Sequence, residues 1–497
     1  MLRLDRENNP DILRQAAQLL ERENQRLIRI NVELQRRLLE AEGRSPEQMQ
    51  QKLLLLEEQL AQRNHALFGD SSEKRPRKKT DQDEHAPQRG HGRRKQPALP
   101  IVEQIHDLDE ADKVCTSCGG QLAEWKEQFE ESEEIDVIER RFIVKKHRRK
   151  KYRCGCQGCV DSAPGPVKLF PGARYSIDFA IDVMVGKYLD HLPLERQVRI
   201  MAREGLVVDS QTLWDYLERI ARLLAPAYDR LHAYLLTLRV LGADETHWRL
   251  MGAKGQDAGI AKKWFVWALV APEAVCYRIE DSRSTKAAQN VLQDFSSILV
   301  VDGYAVYERL SKIGDGFLLA FCWSHVRRKF VEAEPHAPKA SEAIELINEL
   351  FMIERLCPPG PDGDGLRHRL RQERSRPVVD KLRSWLNTQR VLPESSLGKA
   401  ISYTLGLWPG LIRFLEDPQI PLHNNASERA LRGVVVGRKN HYGSRSRRGT
   451  EVAAICYSLL ESAKFAGIEP KAYLRVALGA AIEGREIPLP HELARAA

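Results

Sequence analysis

Five short apolar runs between residues 238 and 321 constrain the fold of this 497-residue chain more than any other feature. Each is rich in β-branched or aromatic side chains and is bounded by polar or glycine-containing turns, which is typical of strands. The runs are 238–243, 264–270, 275–279, 298–301 and 317–321. A helical pattern over 284–295 separates the third run from the fourth, and another helix is expected to begin near His325. The order predicts a mixed α/β domain in which a three-strand meander precedes strands alternating with helices.

This layout is that of a ribonuclease-H-like domain, and we predict the catalytic core over residues 226–325. The pattern then becomes helical over 326–415, which predicts an insertion into the α/β domain. Residues 416–465 are expected to return to the core, and 466–497 form a C-terminal segment. The predicted fold class is therefore a multidomain α/β protein whose mixed-sheet domain carries a helical insertion.

Three further segments precede this domain. Leucines at positions 13, 20, 27 and 34 repeat every seven residues, so residues 1–69 are predicted to form coiled-coil helices that dimerise, with a helical hairpin as the alternative. Residues 70–98 are polar and basic, which predicts a disordered linker. Residues 171–225 have a helix, a glycine turn and a second helix, typical of a helix-turn-helix DNA-binding region and also of ordinary helical bundles.

Residues 99–170 carry five of the nine cysteines, which predicts a metal-binding module in a reducing compartment such as the cytoplasm. Two thiolates separated by two residues recur in this segment, the spacing of a zinc knuckle. A tetrahedral structural zinc site requires four ligands, so the choice among the five stays open. The cysteines are Cys115, Cys118, Cys154, Cys156 and Cys159.

Basic residues are concentrated in a few stretches although the net charge is only +8. They cluster in 74–95, 140–153 and 429–448, which predicts a polyanionic partner such as nucleic acid. The longest apolar run, 264–271, is far shorter than the roughly 18 residues that a membrane span needs. We therefore expect no membrane partner.

Two aspartates follow apolar runs directly. Asp244 comes after the first run and Asp302 after the fourth, so their carboxylates share one site if those strands are neighbours. Two such anions repel unless a cation lies between them, and Mg²⁺ or Mn²⁺ suits oxygen ligands. Glu428, in the first turn of a helix expected near Asn425, is the candidate third acid. Each acid alone also fits an ordinary strand-end or helix-start residue.

Several ordered motifs carry a resemblance to a known family. They are GADETHW from residue 242, VDGYAVY from 301, CWSHVRRKF from 322, HNNASERALR from 423 and GRKNHYGS from 437. In this order they resemble transposases of the IS66 family of bacterial insertion sequences. The resemblance implies a DDE-type transposase in which Asp244, Asp302 and Glu428 bind catalytic Mg²⁺ or Mn²⁺ and promote DNA cleavage and strand transfer.

The resemblance also bears on other residues and on partners. Cys322 and His325 form a CxxH element that we expect to organise the active site or to position the scissile phosphate. The alternative is a buried cysteine at a strand end and a histidine that caps a helix. We expect double-stranded DNA at the element ends and the target, a homodimer or higher assembly, and accessory proteins of the same element. The alternative is an inactive or domesticated DNA-binding regulator. The predicted phosphate contacts are Arg327, Arg328, Lys329, Arg438, Lys439, Arg445, Arg447 and Arg448.

Overall fold

The computed structural model describes residues 140–153, 160–251, 262–313 and 316–496, together with scattered residues before 140. The predicted linker at 70–98 lies outside the described residues, and so does most of the predicted coiled coil. Of its seam, Leu27 and Leu34 are described, and both are helical and exposed. No helix in the described part of the chain is long and apolar enough to cross a membrane.

A small hairpin and three helices precede the main sheet. The hairpin pairs β1 (Lys151–Arg153) with β2 (Val160–Ser162) in antiparallel register. The helices are α1 (Ile177–Tyr188), α2 (Leu194–Arg203) and α3 (Ser210–Leu236). Asp209 caps α3, since its carboxylate accepts a hydrogen bond from the Thr212 amide.

The predicted mixed sheet is confirmed. Its strands are β3 (Val240–Leu250), β4 (Lys262–Ala271), β5 (Ala274–Glu280), β6 (Ile298–Val301) and β7 (Leu318–Phe321), arranged in the order β5-β4-β3-β6-β7. The first three strands pair antiparallel, whereas β6 and β7 run parallel to β3. Helix α4 (Thr285–Leu292) connects β5 to β6, and α5 (Ala305–Leu310) connects β6 to β7.

Two predicted boundaries are wrong. The first strand does not end at residue 243 but continues to Leu250, because β4 pairs with it along its whole polar second half. The predicted domain boundary between residues 225 and 226 falls inside α3, which passes through Pro226. Proline removes one helical hydrogen bond. The buried side chains of α3 on both sides of Pro226 belong to the same core as the sheet, which favours the unbroken helix.

The predicted helical insertion is present, and its helices form a second hydrophobic core together with Val300 and Ala320 of the sheet. Its elements are α6 (Trp323–Ala333), α7 (Ala340–Glu354), α8 (Asp364–Leu370), α9 (Arg376–Thr388), α10 (Ser396–Gly406) and α11 (Trp408–Leu411). A π-helical turn at Arg371–Ser375 joins α8 to α9. The buried Arg371 guanidinium donates to the carbonyls of Phe414, Asp417 and Ile420, which ties the end of the insertion to its middle.

The chain then returns to the sheet through four helices. They are α12 (Asn425–His441), α13 (Arg447–Phe465), α14 (Pro470–Ile482) and α15 (Pro490–Ala496). Helix α12 packs on β3 and β4, and α13 packs on the edge strand β5 and on α3. The hydroxyls of Ser458 and Ser462 accept hydrogen bonds from the amides of Tyr277 and Val275, so α13 satisfies the free edge of β5.

Candidate active site

The register of the sheet brings two of the predicted acids together. Strands β3 and β6 pair in parallel with Val240 opposite Ile298 and Gly242 opposite Val300. This offset of 58 residues also separates Asp244 from Asp302, since 302 − 244 = 58. Strand β6 ends at Val301, so β3 loses this neighbour just before Asp244. Both carboxylates therefore lie where the parallel part of the sheet ends.

Two hydrogen bonds hold Asp302, which begins the turn after β6. The Asp302 Oδ1 atom accepts a hydrogen bond of 3.0 Å from the Tyr304 amide, and its carbonyl accepts one of 2.6 Å from the Tyr403 hydroxyl on α10. Gly303 has a φ of +96°, a conformation that side chains other than glycine rarely adopt. Asp302 is thus held through its carboxylate by its own turn and through its backbone carbonyl by the inserted helical region.

Asn424 anchors the start of α12, the helix that carries Glu428 in its first turn. Its buried side chain donates a 2.8 Å hydrogen bond to the carbonyl of Ala243, the residue before Asp244. Its Oδ1 atom accepts a 2.6 Å hydrogen bond from the Ser427 hydroxyl. Sequence reasoning missed Asn424, although it lies in the quoted motif HNNASERALR.

Gly242 allows this close approach between β3 and α12. A Cβ atom at position 242 would lie 2.6 Å from Ser427 Oγ and 3.0 Å from Asn424 Oδ1, which are overlaps. Only a residue without a side chain lets the start of the helix lie directly against the strand. The approach brings Glu428 to the same end of the sheet as Asp244.

The CxxH element lies between the insertion and Glu428. Cys322 is buried, and its sulfur accepts a 3.1 Å hydrogen bond from the Asn424 amide. His325, in the first turn of α6, places its Nε2 atom 3.5 Å from Glu428 Oε1. The backbone of Trp323 donates to the carbonyl of Leu422, so the two segments run side by side. The predicted accessory residues therefore contact the helix that carries Glu428, one directly and one through Asn424.

The pKa of Asp244 responds to the charges of the other two acids. Burial raises the pKa of Asp244 to about 7, with further contributions from the negative charges of Glu245, Asp302 and Glu428. A cation is favoured where neighbouring negative charges raise the pKa of a buried carboxylate in this way. No three His, Cys, Asp or Glu side chains stand close enough to encircle an ion in the described part of the chain.

A fourth acid, Glu245, lies beside Asp244 and is neutralised within the protein. Its carboxylate is 2% exposed and pairs with the guanidinium of Arg283, while the Tyr307 hydroxyl donates to Oε2 at 2.7 Å. Arg283 also stacks on the ring of Tyr304, 3.7 Å from its centroid. Glu245 was not singled out from the sequence, although its position next to Asp244 in GADETHW was a signal. It braces the turn after Asp302 against β3.

The predicted phosphate contacts do not all face solvent. Lys439, Arg445 and Arg447 are exposed, and Lys329 is exposed but pairs with Glu332. Arg327 and Arg328 are partly buried, and Arg448 pairs with Glu218 and Glu451. Arg438 is only 9% exposed, and its guanidinium donates to the carbonyl of His247 on β3. Its contacts are those of a residue that braces α12 against the sheet.

The GRKNHYGS motif forms less loop than its glycines suggest. Helix α12 continues to His441, and Ser444 then exchanges backbone hydrogen bonds with Arg249 and Met251 at the end of β3. The Ser444 hydroxyl also accepts a 3.2 Å hydrogen bond from the Trp248 indole. The loop that follows α12 is thus short and is held against the sheet.

The predicted zinc ligands fall almost entirely outside the described residues. Cys118 is described and is exposed. Cys115, Cys154, Cys156 and Cys159 are not among the described residues, and the last three lie in the chain between β1 and β2.

Comparisons with known proteins identify relatives. Residues 172–452 match a family model described as "Transposase IS66 family", and residues 112–157 match one described as "zinc-finger binding domain of transposase IS66". The chain is 33% identical over 402 residues to "Uncharacterized protein y4jD" of Sinorhizobium fredii (strain NBRC 101917 / NGR234), which covers 78% of each chain. It is 29% identical over 404 residues to "Uncharacterized protein y4hP" of the same organism, covering 75% of this chain and 71% of that one.

A solved structure titled "Mos1 transposase paired-end complex with left transposon end" is 12% identical to this chain. The alignment covers 50% of this chain and 81% of that one, with a TM-score of 0.12. A TM-score at that level does not establish a common fold.

Proposed function

The chain belongs to the IS66 family of transposases, and from this premise we propose that Asp244, Asp302 and Glu428 are the catalytic acids of a DDE-type enzyme. The proposed activity is metal-dependent cleavage of DNA at the ends of an insertion sequence, followed by transfer of the cut strand to target DNA. The observation that carries the proposal is that the three acids meet at one end of the sheet. The negative charges of Asp302 and Glu428 both contribute there to the raised pKa of Asp244.

The sheet topology supports the same assignment. In chain order its strands lie 3-2-1-4-5, with an antiparallel meander followed by two parallel strands, and we propose that this is a ribonuclease-H-like fold. In such an open sheet, ligands bind outside the carboxyl ends of parallel strands. Asp302 follows β6 at that end, and Asp244 lies level with it on β3.

The donor atoms fit a hard divalent cation. The three side chains offer carboxylate oxygens only, the ligands that Mg²⁺ and Mn²⁺ prefer. The raised pKa of Asp244 reflects burial first, and then negative charge that a cation would neutralise. Asp244, Asp302 and Glu428 would hold such a cation, which would supply stabilisation of the negative charge that develops at the reacting phosphate. Glu245 is left out of the ligand set because Arg283 and Tyr307 already occupy its carboxylate.

The reaction needs no covalent protein intermediate. In the first step, a water oxygen bonds to phosphorus while the bond to the 3′ oxygen breaks. The 3′ oxygen takes up a proton, which leaves a 3′-hydroxyl and a 5′-phosphate. In the second step, the 3′-hydroxyl oxygen bonds to a target phosphorus and displaces the target's own 3′ oxygen. His325, 3.5 Å from Glu428, holds that carboxylate toward the site throughout.

Two further parts of the chain complete the proposal. We assign structural zinc to the cysteine module, supported by the zinc-finger match over 112–157. That match contains Cys115, Cys118, Cys154 and Cys156 and stops before Cys159. We assign dimerisation to the heptad repeat of residues 1–69, supported by the exposure of Leu27 and Leu34 on this single chain. Duplex DNA is expected to meet the exposed basic residues Lys439, Arg445 and Arg447.

Cleavage and joining of a labelled duplex taken from the DNA that flanks the gene test the proposal. With Mg²⁺ or Mn²⁺, the wild-type protein should generate 3′-hydroxyl ends and joined products. Asp302→Asn and Glu428→Gln should each lower the rate more than about 100-fold, because even the loss of an outer partner of a metal ligand costs about 10–100-fold. Asp380→Asn, an exposed acid on α9, is the matched control and should retain the wild-type rate.

The same assay separates the alternative function. Salt-sensitive binding without cleavage, persisting when the accessory proteins of the element are added, would indicate a DNA-binding regulator descended from a transposase. Cleavage that survives both substitutions would refute the assignment of the acids.

A further inference from the structure

Helix α2 has two chemically different sides. Its inward side carries Gln197 and Met201, one turn apart and both buried. The Gln197 amide donates to the carbonyls of Val183 and Leu192, which binds α2 to the end of α1. Helix α2 is therefore docked on the protein by this side, and its other side is left to solvent.

The outward side of α2 is a row of arginines. Arg196, Arg199 and Arg203 are all exposed and follow one another at helical spacings of three and four residues, so they share one face. None of the three forms an ion pair with an acid in the described part of the chain. We call this row the α2 arginine face. An unpaired row of this kind attracts anions.

The segment that leads into α2 lies beside α12. The ring of His191, three residues before α2, would lie 3.6 Å from a Cβ atom at Gly433 of α12. Arg429, Arg432 and Lys439 are exposed on α12, which begins at the proposed catalytic site. The positive charge of Arg445 also contributes to the lowered pKa of Lys187 near the end of α1, after the larger effect of burial. The chain that leads into α2 is thus next to the helix that begins at the proposed catalytic site, with the Glu461 carboxylate beside it.

We propose that the α2 arginine face binds the phosphate backbone of duplex DNA. The proposal rests on the transposase function assigned above and names a surface for its substrate. From Arg196 to Arg203 the helix rises about 10 Å, at 1.5 Å per residue. Along the axis of DNA this equals about three steps from one phosphate to the next on the same strand, at 3.4 Å per step. The length of the row and its charge both fit a phosphate backbone.

In a helix-turn-helix the first helix crosses the phosphate backbone, while the later helix contacts base edges with its first residues. The first turns of α3 expose Gln211 and Asp215, which are hydrogen-bonded to each other at 2.7 Å. Asp209 is occupied as the cap of α3. Compared with the first turns of α3, α2 is the part with positive charge to offer to phosphate, since the arginines of α3 begin at Arg219.

The test is the salt dependence of DNA binding by the full-length protein. Binding of a fluorescein-labelled random-sequence duplex, several helical turns long, is followed by anisotropy at a series of salt concentrations without a divalent metal. Replacing the three arginines together by glutamine should lower the slope of log affinity against log salt by up to about 2.7, at about 0.9 for each phosphate contact. Replacing them by lysine should retain the slope, since the contact depends on charge.

A second triple variant controls for net charge. Arg355, Arg374 and Arg390 are exposed in the helical insertion, and their replacement by glutamine should leave the slope unchanged. The inference about α2 would be overturned if the α2 variant kept the wild-type slope, or if the control variant lost as much slope as the α2 variant. Neither result would contradict the proposed transposase function. Wild-type protein that fails to bind the duplex would overturn both the inference and the DNA-directed function. Melting temperatures equal to the wild type establish that each variant is folded.

Discussion

Replacing Asp244 by asparagine should stabilise the metal-free protein at neutral and alkaline pH. The pKa of Asp244 is raised from 3.8 to about 7, so its ionised form is disfavoured in the folded state. Asparagine keeps the shape of the side chain and an Oδ1 atom that accepts the 2.8 Å hydrogen bond from the Glu245 amide. It removes only the buried charge.

The magnitude follows from the shift of about 3 pKa units. Each unit corresponds to about 1.36 kcal/mol, so ionised Asp244 costs the fold up to about 4 kcal/mol above pH 7. Because folding raises the pKa of this acid, the free energy of unfolding falls as the pH rises. Folded protein holds the proton that unfolded protein releases between pH 3.8 and 7, so stability is present below pH 3.8 and is lost as the pH rises through 7. The gain from Asp244→Asn should therefore be largest at pH 8 and near zero at pH 4.

Urea denaturation in EDTA, followed by tryptophan fluorescence at pH 4, 6 and 8, measures this difference in the free energy of unfolding. The strand tryptophans Trp248 and Trp267 are buried in the sheet and report on this part of the protein. Asp380→Asn is the control and should change stability by less than about 0.5 kcal/mol at every pH. Equal stabilities of Asp244→Asn and wild type at pH 8, or a difference independent of pH, would refute the electrostatic account of this site.

Three further substitutions test the elements around the acids. Asn424→Ala should cost about 1–3 kcal/mol of stability in urea titrations, because the Ala243 carbonyl loses its donor. In cleavage assays the same substitution should lower kcat while KM for DNA stays constant. Gly242→Ala should destabilise the protein by about 1–3 kcal/mol in melting experiments, and adding Ser427→Ala should recover part of that loss because it removes the nearest overlapping atom. Cys118→Ser should lower the zinc content measured by mass spectrometry, and zinc retained at one ion per chain would exclude this ligand.

The buried strands and the neighbouring positions of Asp244 and Asp302 could be predicted because short-range patterns determine them. Strand β6 occupies 298–301 as predicted, since four consecutive apolar residues end at Asp302. Strand β3 was predicted too short for a physical reason. Beyond Gly242 it has β4 as its only strand neighbour, and its side chains turn polar where the sheet opens into the candidate site. The loss of apolar character marked the edge of the site and not the end of the strand.

Arg438 shows why charge alone does not identify a surface. In sequence it belongs to a basic run, but the periodicity of α12 turns it toward β3, where the His247 carbonyl accepts its guanidinium. A basic run in a helix distributes its charges around the axis, so some of them face the protein. The fraction that faces DNA depends on which side of the helix packs on the sheet.

The position of Glu428 depends on contacts that no local pattern contains. Asn424 connects α12 to Ala243 and to Cys322, across 181 and 102 residues of chain. In the sequence, Gly242 is only the first residue of GADETHW. In the structure, its lack of a side chain lets Ser427 lie against the strand. The geometry of the third acid is therefore controlled by residues that carry no chemistry of their own. A relative that keeps all three acids but has a larger residue at the position of Gly242 should hold its α12 farther from β3, and its glutamate farther from the two aspartates.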